Sequence, residues 1–215
     1  MTNIFLTSSL QAVAKDLSKH IGKDVKKFLF ITTASEVEEG ALDWLRFDRN
    51  SMTDLGYELE DYTLTGKKKD EVTAKLKKAD GIIMAGGNTF YLLEKVYESG
   101  FDKANKPFLE NGKVYIGSSA GSYIMCPTIE AAKWKHLDDP NKAKRTNLNA
   151  LGLVDFLMIA HYKEQDRQAV IDGVKTTNRP VAVLTDLQAL IVKNNKISLL
   201  GPSKLLKFND FELNS

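Results

Sequence analysis

Apolar residues along the chain fall into short runs that alternate with stretches of helical spacing. Residues 4–7 form a first apolar run. Leu10, Val13, Ala14, Leu17 and Ile21 then recur every three or four positions, which predicts a strand followed by an amphipathic helix. The alternation continues with strands over 28–33, 57–64 and 81–85, helices over 40–55, 70–78 and 88–99, and a strand after Gly112. A strand over 157–160 and a helix over 164–175 follow. Strands that alternate with helices imply a mostly parallel sheet covered on both faces, so the pattern predicts an α/β fold. Beyond 181 the texture changes. Runs over 181–184, 189–192, 196–200 and 205–208 are joined by Asp, Asn and Gly turns, with Asn194-Asn195 as the hairpin signal, and an antiparallel C-terminal extension is expected. No repeat or linker divides residues 1–215, so one domain is expected.

Composition narrows the function classes. Thirty Lys+Arg against 28 Asp+Glu leave a net charge of +2, too little for a nucleic-acid or anionic-membrane partner. The basic clusters at 67–69 and 133–145 are interleaved with acids and read as solvated surface. No basic leader opens the chain and no apolar run approaches the ~20 residues of a bilayer span, so a soluble, cytoplasmic protein is expected. The single cysteine, Cys126, excludes an internal disulfide and reads as a core thiol. His-Glu-x-x-His and both glycine-rich nucleotide signatures are absent, so neither a metal nor an organic cofactor is expected.

The chemistry-bearing motif is Gly117-Ser-Ser-Ala-Gly121, placed where the run 114–116 gives way to a helix-compatible stretch. Gly-x-Ser-x-Gly after a strand marks a nucleophile elbow, a turn so tight that glycine is needed on both sides of an exposed serine. Ser119 is therefore the candidate nucleophile. Its hydroxyl needs a base, and there are three histidines. His20 closes the first helix, where it complements the dipole; His136 lies in a charged loop; His161 follows the run 157–160 and so stands at a strand's carboxyl end, where sites of α/β sheets assemble. An oxyanion also needs donors. The backbone N–H of Ala120 is one by elbow geometry, and the loop Gly86-Gly87-Asn88-Thr89 at the end of another strand can supply the second.

Ala85-Gly-Gly-Asn-Thr-Phe90, Gly117-x-Ser-Ala-Gly121, Cys126-Pro-Thr-Ile129 and Ala160-His-Tyr162 together resemble the peptidase E and cyanophycinase family of serine peptidases. The resemblance implies a flavodoxin-like three-layer fold related to class I glutamine amidotransferases. It implies Ser119 as nucleophile, His161 as base, and Gly87 and Ala120 as oxyanion donors. Asn88, Thr89 and Arg167 would contact substrate, Arg167 clamping the side-chain carboxylate of an acidic N-terminal residue. The family's triad aspartate position is filled here by Trp134. An acid is expected between serine and histidine, and Glu130, Asp138, Asp139 and Asp155 are available, with Glu130 preferred.

The expected activity is hydrolysis of small peptides, dipeptides with an acidic first residue among them. The alternatives are a non-catalytic amidotransferase-like binding protein, with Trp134 as its argument, and a small-ester hydrolase. Oligomeric state is not legible.

Overall fold

In β2 (Lys27–Ile31), Leu29 and Ile31 join one buried cluster while Phe28 and Phe30 join another, because successive residues of a strand face opposite sides of the sheet. The same division holds in β1 (Asn3–Thr7), β4 (Gly81–Met84) and β5 (Val114–Ser118). With β3 (Glu58–Tyr62) these strands pair in parallel in the order β3-β2-β4-β5-β1. This computed structural model describes residues 3–135, 138–202 and 204–214. The crossovers carry α1 (Leu10–Ser18), α2 (Asp43–Thr53), α3 (Lys69–Leu76), α4 (Thr89–Glu98) and α5 (Phe101–Glu110), which cover the two faces and complete the expected three-layer α/β fold. β3 is one edge of the sheet, and its Glu58, Glu60 and Asp61 are exposed, which discourages pairing with another chain. The sequence pattern does not announce α5, because Pro107 lies inside it; Phe101, Ala104 and Phe108 nonetheless recur at helical spacing and are buried.

After β5 the chain turns into the short α6 (Ala120–Tyr123) and later forms β6 (Leu157–Ile159), α7 (Arg167–Val174), β7 (Val181–Val183), β8 (Ala189–Lys193), β9 (Lys196–Leu200) and β10 (Leu206–Phe208). β8 joins the main sheet antiparallel to β1, and β9 pairs with β8 through Asn194 and Asn195 at φ 50° and 64°. Two consecutive left-handed asparagines make the tight hairpin turn expected there. The expected single extension is in fact divided, since β6, β7 and β10 form a separate three-stranded sheet. β6 and β7 are parallel and need a crossover, which α7 supplies. Among the described residues, no helix is long and apolar enough to cross a membrane.

Candidate active site

The register Met84↔Gly117 and Thr7↔Ser118 aligns the carboxyl ends of β4, β5 and β1. Gly86-Gly87, Ser119 and Ser8 therefore emerge from neighbouring strands at the edge where α/β sheets form their crevices. They border a cleft of about 300 Å³ that His161 and Trp44 also line.

Ser119 turns sharply, with φ 50° and ψ −110°, while its N–H still donates to Thr7 O at 3.0 Å as the ladder ends. A serine in this conformation persists only where its surroundings force it. Here Ser122 Oγ donates to the carbonyls of both Thr7 and Gly117 at 2.9 Å, pinning the start of α6 to the two strand ends. A Cβ on Gly121 would lie 2.1 Å from Met84 O, and one on Gly117 would lie 2.6 Å from the Gly121 carbonyl carbon, so the approach of helix to strand demands glycine at both. The Ala120 N–H opens α6 and has no acceptor within the helix. Gly87, at φ 120°, lines the cleft, and a Cβ there would fall 2.3 Å from Ala34 O.

His161 also has a left-handed backbone, at φ 55°, just beyond β6. Its Nδ1 lies 2.6 Å from Asp186 Oδ1, in the loop between β7 and β8. Ser8 Oγ accepts the His161 N–H at 2.7 Å and donates to the same Asp186 oxygen at 2.9 Å, closing a ring. The hydrogen bond from His161 holds the Asp186 carboxyl below its ordinary value against the opposing effect of partial burial. A carboxylate can only accept, so Nδ1 carries the imidazole proton and Nε2 is the basic nitrogen.

Of the acids expected between serine and histidine, Asp138 alone borders the cleft. Glu130 opens a 3₁₀ turn, its N–H donating to Thr128 Oγ1, and no hydrogen bond joins it to His161 among the described residues. Asp155 borders a different cleft beside Arg179. Asp139 caps the short turn over 140–142. Asp138 does line the active cleft, but its Oδ2 accepts the Thr89 N–H at 2.9 Å, at the positive end of α4. Trp134 packs on α7, where a Cβ at Gly173 would meet the indole at 2.2 Å, so the expected acid position is given over to packing.

Asn88 and Thr89 are likewise committed to structure. Asn88 caps α4 by accepting from Tyr91 N–H and donates to Asp139 O at 3.0 Å, while Thr89 holds Asp138. The Arg167 side chain is 57% exposed, pairs with Glu164 Oε1 at 3.2 Å, and does not reach the cleft. His20 is exposed beyond the end of α1; His136 lies outside the described residues. Cys126 is buried as expected, and burial pushes its thiol up to about 12.

Besides Asp138, two further carboxyls line the cleft, Asp48 and Glu38. Asp48 is 4% exposed, accepts from Ser118 Oγ at 2.7 Å and from Gln11 N–H at 2.9 Å, and is raised by burial. Burial also raises Asp138, and burial together with Asp138 raises Glu38. The basic cluster read as solvated surface is only partly so: the Lys135 side chain is 5% exposed and borders the same cleft.

Comparison with known proteins agrees with this architecture. The sequence pattern of peptidase family S51 matches residues 4–200. An uncharacterized peptidase of Listeria innocua is 33% identical over 204 residues, spanning 92% of this chain and 95% of that protein. Peptidase E of a Nostoc species is 27% identical over 206 residues, 90% of this chain and 80% of its own. A crystal structure from Listeria monocytogenes superposes with a TM-score of 0.84 at 31% identity, over 94% of this chain and all of the other.

Proposed function

Because the chain belongs to peptidase family S51, we propose that it hydrolyses short peptides with Ser119 as nucleophile, His161 as base and Asp186 as the group that orients the base. The observation carrying this reading is the hydrogen-bonded ring of His161, Asp186 and Ser8 beside a serine turned into the same cleft. In the proposed sequence, Ser119 Oγ attacks the scissile carbonyl carbon as His161 Nε2 takes its proton. The N–H groups of Gly87 and Ala120 hold the oxyanion, and His161 returns the proton to the departing amine. Water then attacks the acyl-enzyme by the same route and frees the serine. Asp186 keeps the proton on Nδ1 and stabilises the imidazolium between the two transfers.

The cleft suits short peptides, being at the small end of ligand sites. Its carboxyl-rich lining argues against an acidic N-terminal residue. Glu38, Asp48 and Asp138 line it, and Arg167, the expected clamp, is outside. A substrate carboxylate would face three carboxyl groups, whereas the free ammonium of a peptide N-terminus can donate hydrogen bonds to their oxygens. Ser119→Ala should abolish turnover and fluorophosphonate labelling with the fold intact, and full activity in that variant would remove the mechanism. In a dipeptide scan, Ala- and Lys-initiated substrates should exceed Asp-initiated ones in kcat/KM; the reverse order would refute the specificity.

A further inference from the structure

Lys135 follows Trp134 in the loop behind the cleft, with its side chain almost wholly buried. Its ammonium reaches three acceptors. Nζ donates to Ala160 O at 3.1 Å, to His161 O, and to Asp166 Oδ2 at 2.9 Å. An ammonium has three N–H donors, so each is used within the protein and none remains for a substrate carboxylate. The acceptors also explain one another. In passing from β6 into the left-handed His161, the chain turns the carbonyls of Ala160 and His161 toward one point, where they would repel unless a cation stood between them. Asp166 in turn is fixed by the Lys163 N–H at 2.9 Å, and its hydrogen bond from Lys135 opposes the effect of burial and keeps it ionised.

A left-handed backbone on a histidine is a minority conformation that must be imposed. Ser8 holds the N–H side of the residue and Asp186 holds the ring. Only the carbonyl side is left, and Lys135 occupies it. We propose that Lys135 is a positioning residue for the peptidase reaction: its ammonium clamps the Ala160 and His161 carbonyls and so fixes the angle at which the imidazole is presented to Ser119. Asp166 anchors the clamp. This rests on the peptidase reading of the site for its kinetic consequence, while its structural consequence can be read without turnover.

The test compares Lys135→Met, which keeps the length and loses the charge, with Lys135→Cys alkylated by bromoethylamine. In that alkylation the thiolate displaces bromide to give a thioether that restores an ammonium at lysine's reach. Because the side chain at 135 is itself only 5% exposed, the alkylation is run on the unfolded chain in a Cys126→Ala background, where the introduced thiol is the only one, and the protein is then refolded. On a peptide substrate, Lys135→Met should lower kcat ~10–100-fold with KM nearly unchanged, the cost of a misplaced catalytic group. Alkylated Lys135→Cys should recover most of the loss. In NMR spectra the His161 ring signals, one of three histidine sets, should shift in Lys135→Met and return in the alkylated protein. A rise in KM at constant kcat would make Lys135 a substrate contact and overturn the proposal, as would unmoved His161 signals in a folded variant. If Lys135→Met fails to fold, the comparison of Lys135→Cys before and after alkylation carries the test alone. Failure of the peptidase reading would leave the NMR result standing, so the two failures are distinguishable.

Discussion

Asp186 accepts the Nδ1 proton of His161 from a position 25 residues further along the chain. Parallel pairing is what joins them. β6 and β7 run side by side with Ile159 opposite Val183, and Tyr162 N–H donates to Leu184 O just past the strands, so residues shortly beyond the two carboxyl ends meet at one rim.

On the proposed mechanism, that relationship makes Asp186 the acid whose loss matters. Asp186→Asn can turn its amide NH₂ toward Nδ1 and favour the tautomer protonated on Nε2, which cannot accept the serine proton. A fall in kcat of ~10³–10⁴-fold is expected, as for the loss of the acid in other serine triads. Glu130→Gln should stay within about 2-fold of the parent, the range of an ordinary surface change. Steady-state kinetics on one dipeptide decides between them, and the opposite ranking would restore the acid expected from chain order.

The proposed nucleophile, base and oxyanion loop can each be read from the sequence because each carries a local mark: a glycine-bracketed turn, an imidazole after an apolar run, a glycine pair after a buried strand. Asp186 advertises nothing. In Leu184-Thr-Asp-Leu187 an aspartate reads as an ordinary turn residue, and its proposed role arises only once β7 is laid beside β6. Chain order points instead to acids before His161, Glu130 first among them. A usable signal was present in the two short apolar runs at 157–160 and 181–184, each followed within a few residues by one half of the pair. Lys135 was hidden differently, since a lysine in a charged loop gives no sign that two carbonyls will converge on it. The parallel core was legible because burial on both faces leaves continuous apolar runs. The second sheet was not, because strands of three residues do not record which partner they choose.

Arg167 is expected to be silent. Its guanidinium is exposed and engaged with Glu164, so Arg167→Ala should change kcat/KM by less than about 2-fold on acidic and neutral dipeptides alike. Selective loss on Asp-initiated substrates would show that the helix bearing it moves toward the cleft when substrate binds.

The elbow glycines should be intolerant for steric reasons that precede catalysis. In Gly121→Ala the new methyl would sit 2.1 Å from Met84 O, a backbone atom at the end of a buried strand that cannot swing aside as a side chain could. A destabilisation of at least ~1–3 kcal/mol is expected, the usual cost of overpacking. Urea unfolding should show it together with loss of fluorophosphonate labelling. Gly152→Ala, where a Cβ meets nothing within 4 Å, separates steric clash from the strain of a left-handed residue, since Gly152 has φ 59°. A Gly121→Ala protein as stable as the parent would mean that the elbow is looser than its contacts imply.

Asp48 and Asp186 predict opposite responses of stability to pH. Asp186 is held below its ordinary value of 3.8, so what it contributes is present above that pH and disappears as pH falls through its folded-state value. Asp48 is raised above 3.8 by burial, so the folded state takes up a proton that the unfolded chain has already lost. Its contribution is full below 3.8 and is lost as pH rises through the raised value, above which Ser118 and Gln11 support the buried charge. Asp48→Asn removes the titration while keeping an oxygen for the Gln11 N–H and a polar group for Ser118 Oγ. The stability of the variant relative to the parent should therefore be higher at pH 7.5 than at pH ~4, the direction required when only the parent carries the raised group. Urea melts of both proteins at the two pH values measure this. A difference independent of pH would mean that Asp48 ionises in the fold as it does in the unfolded chain, and that water reaches it beneath the elbow.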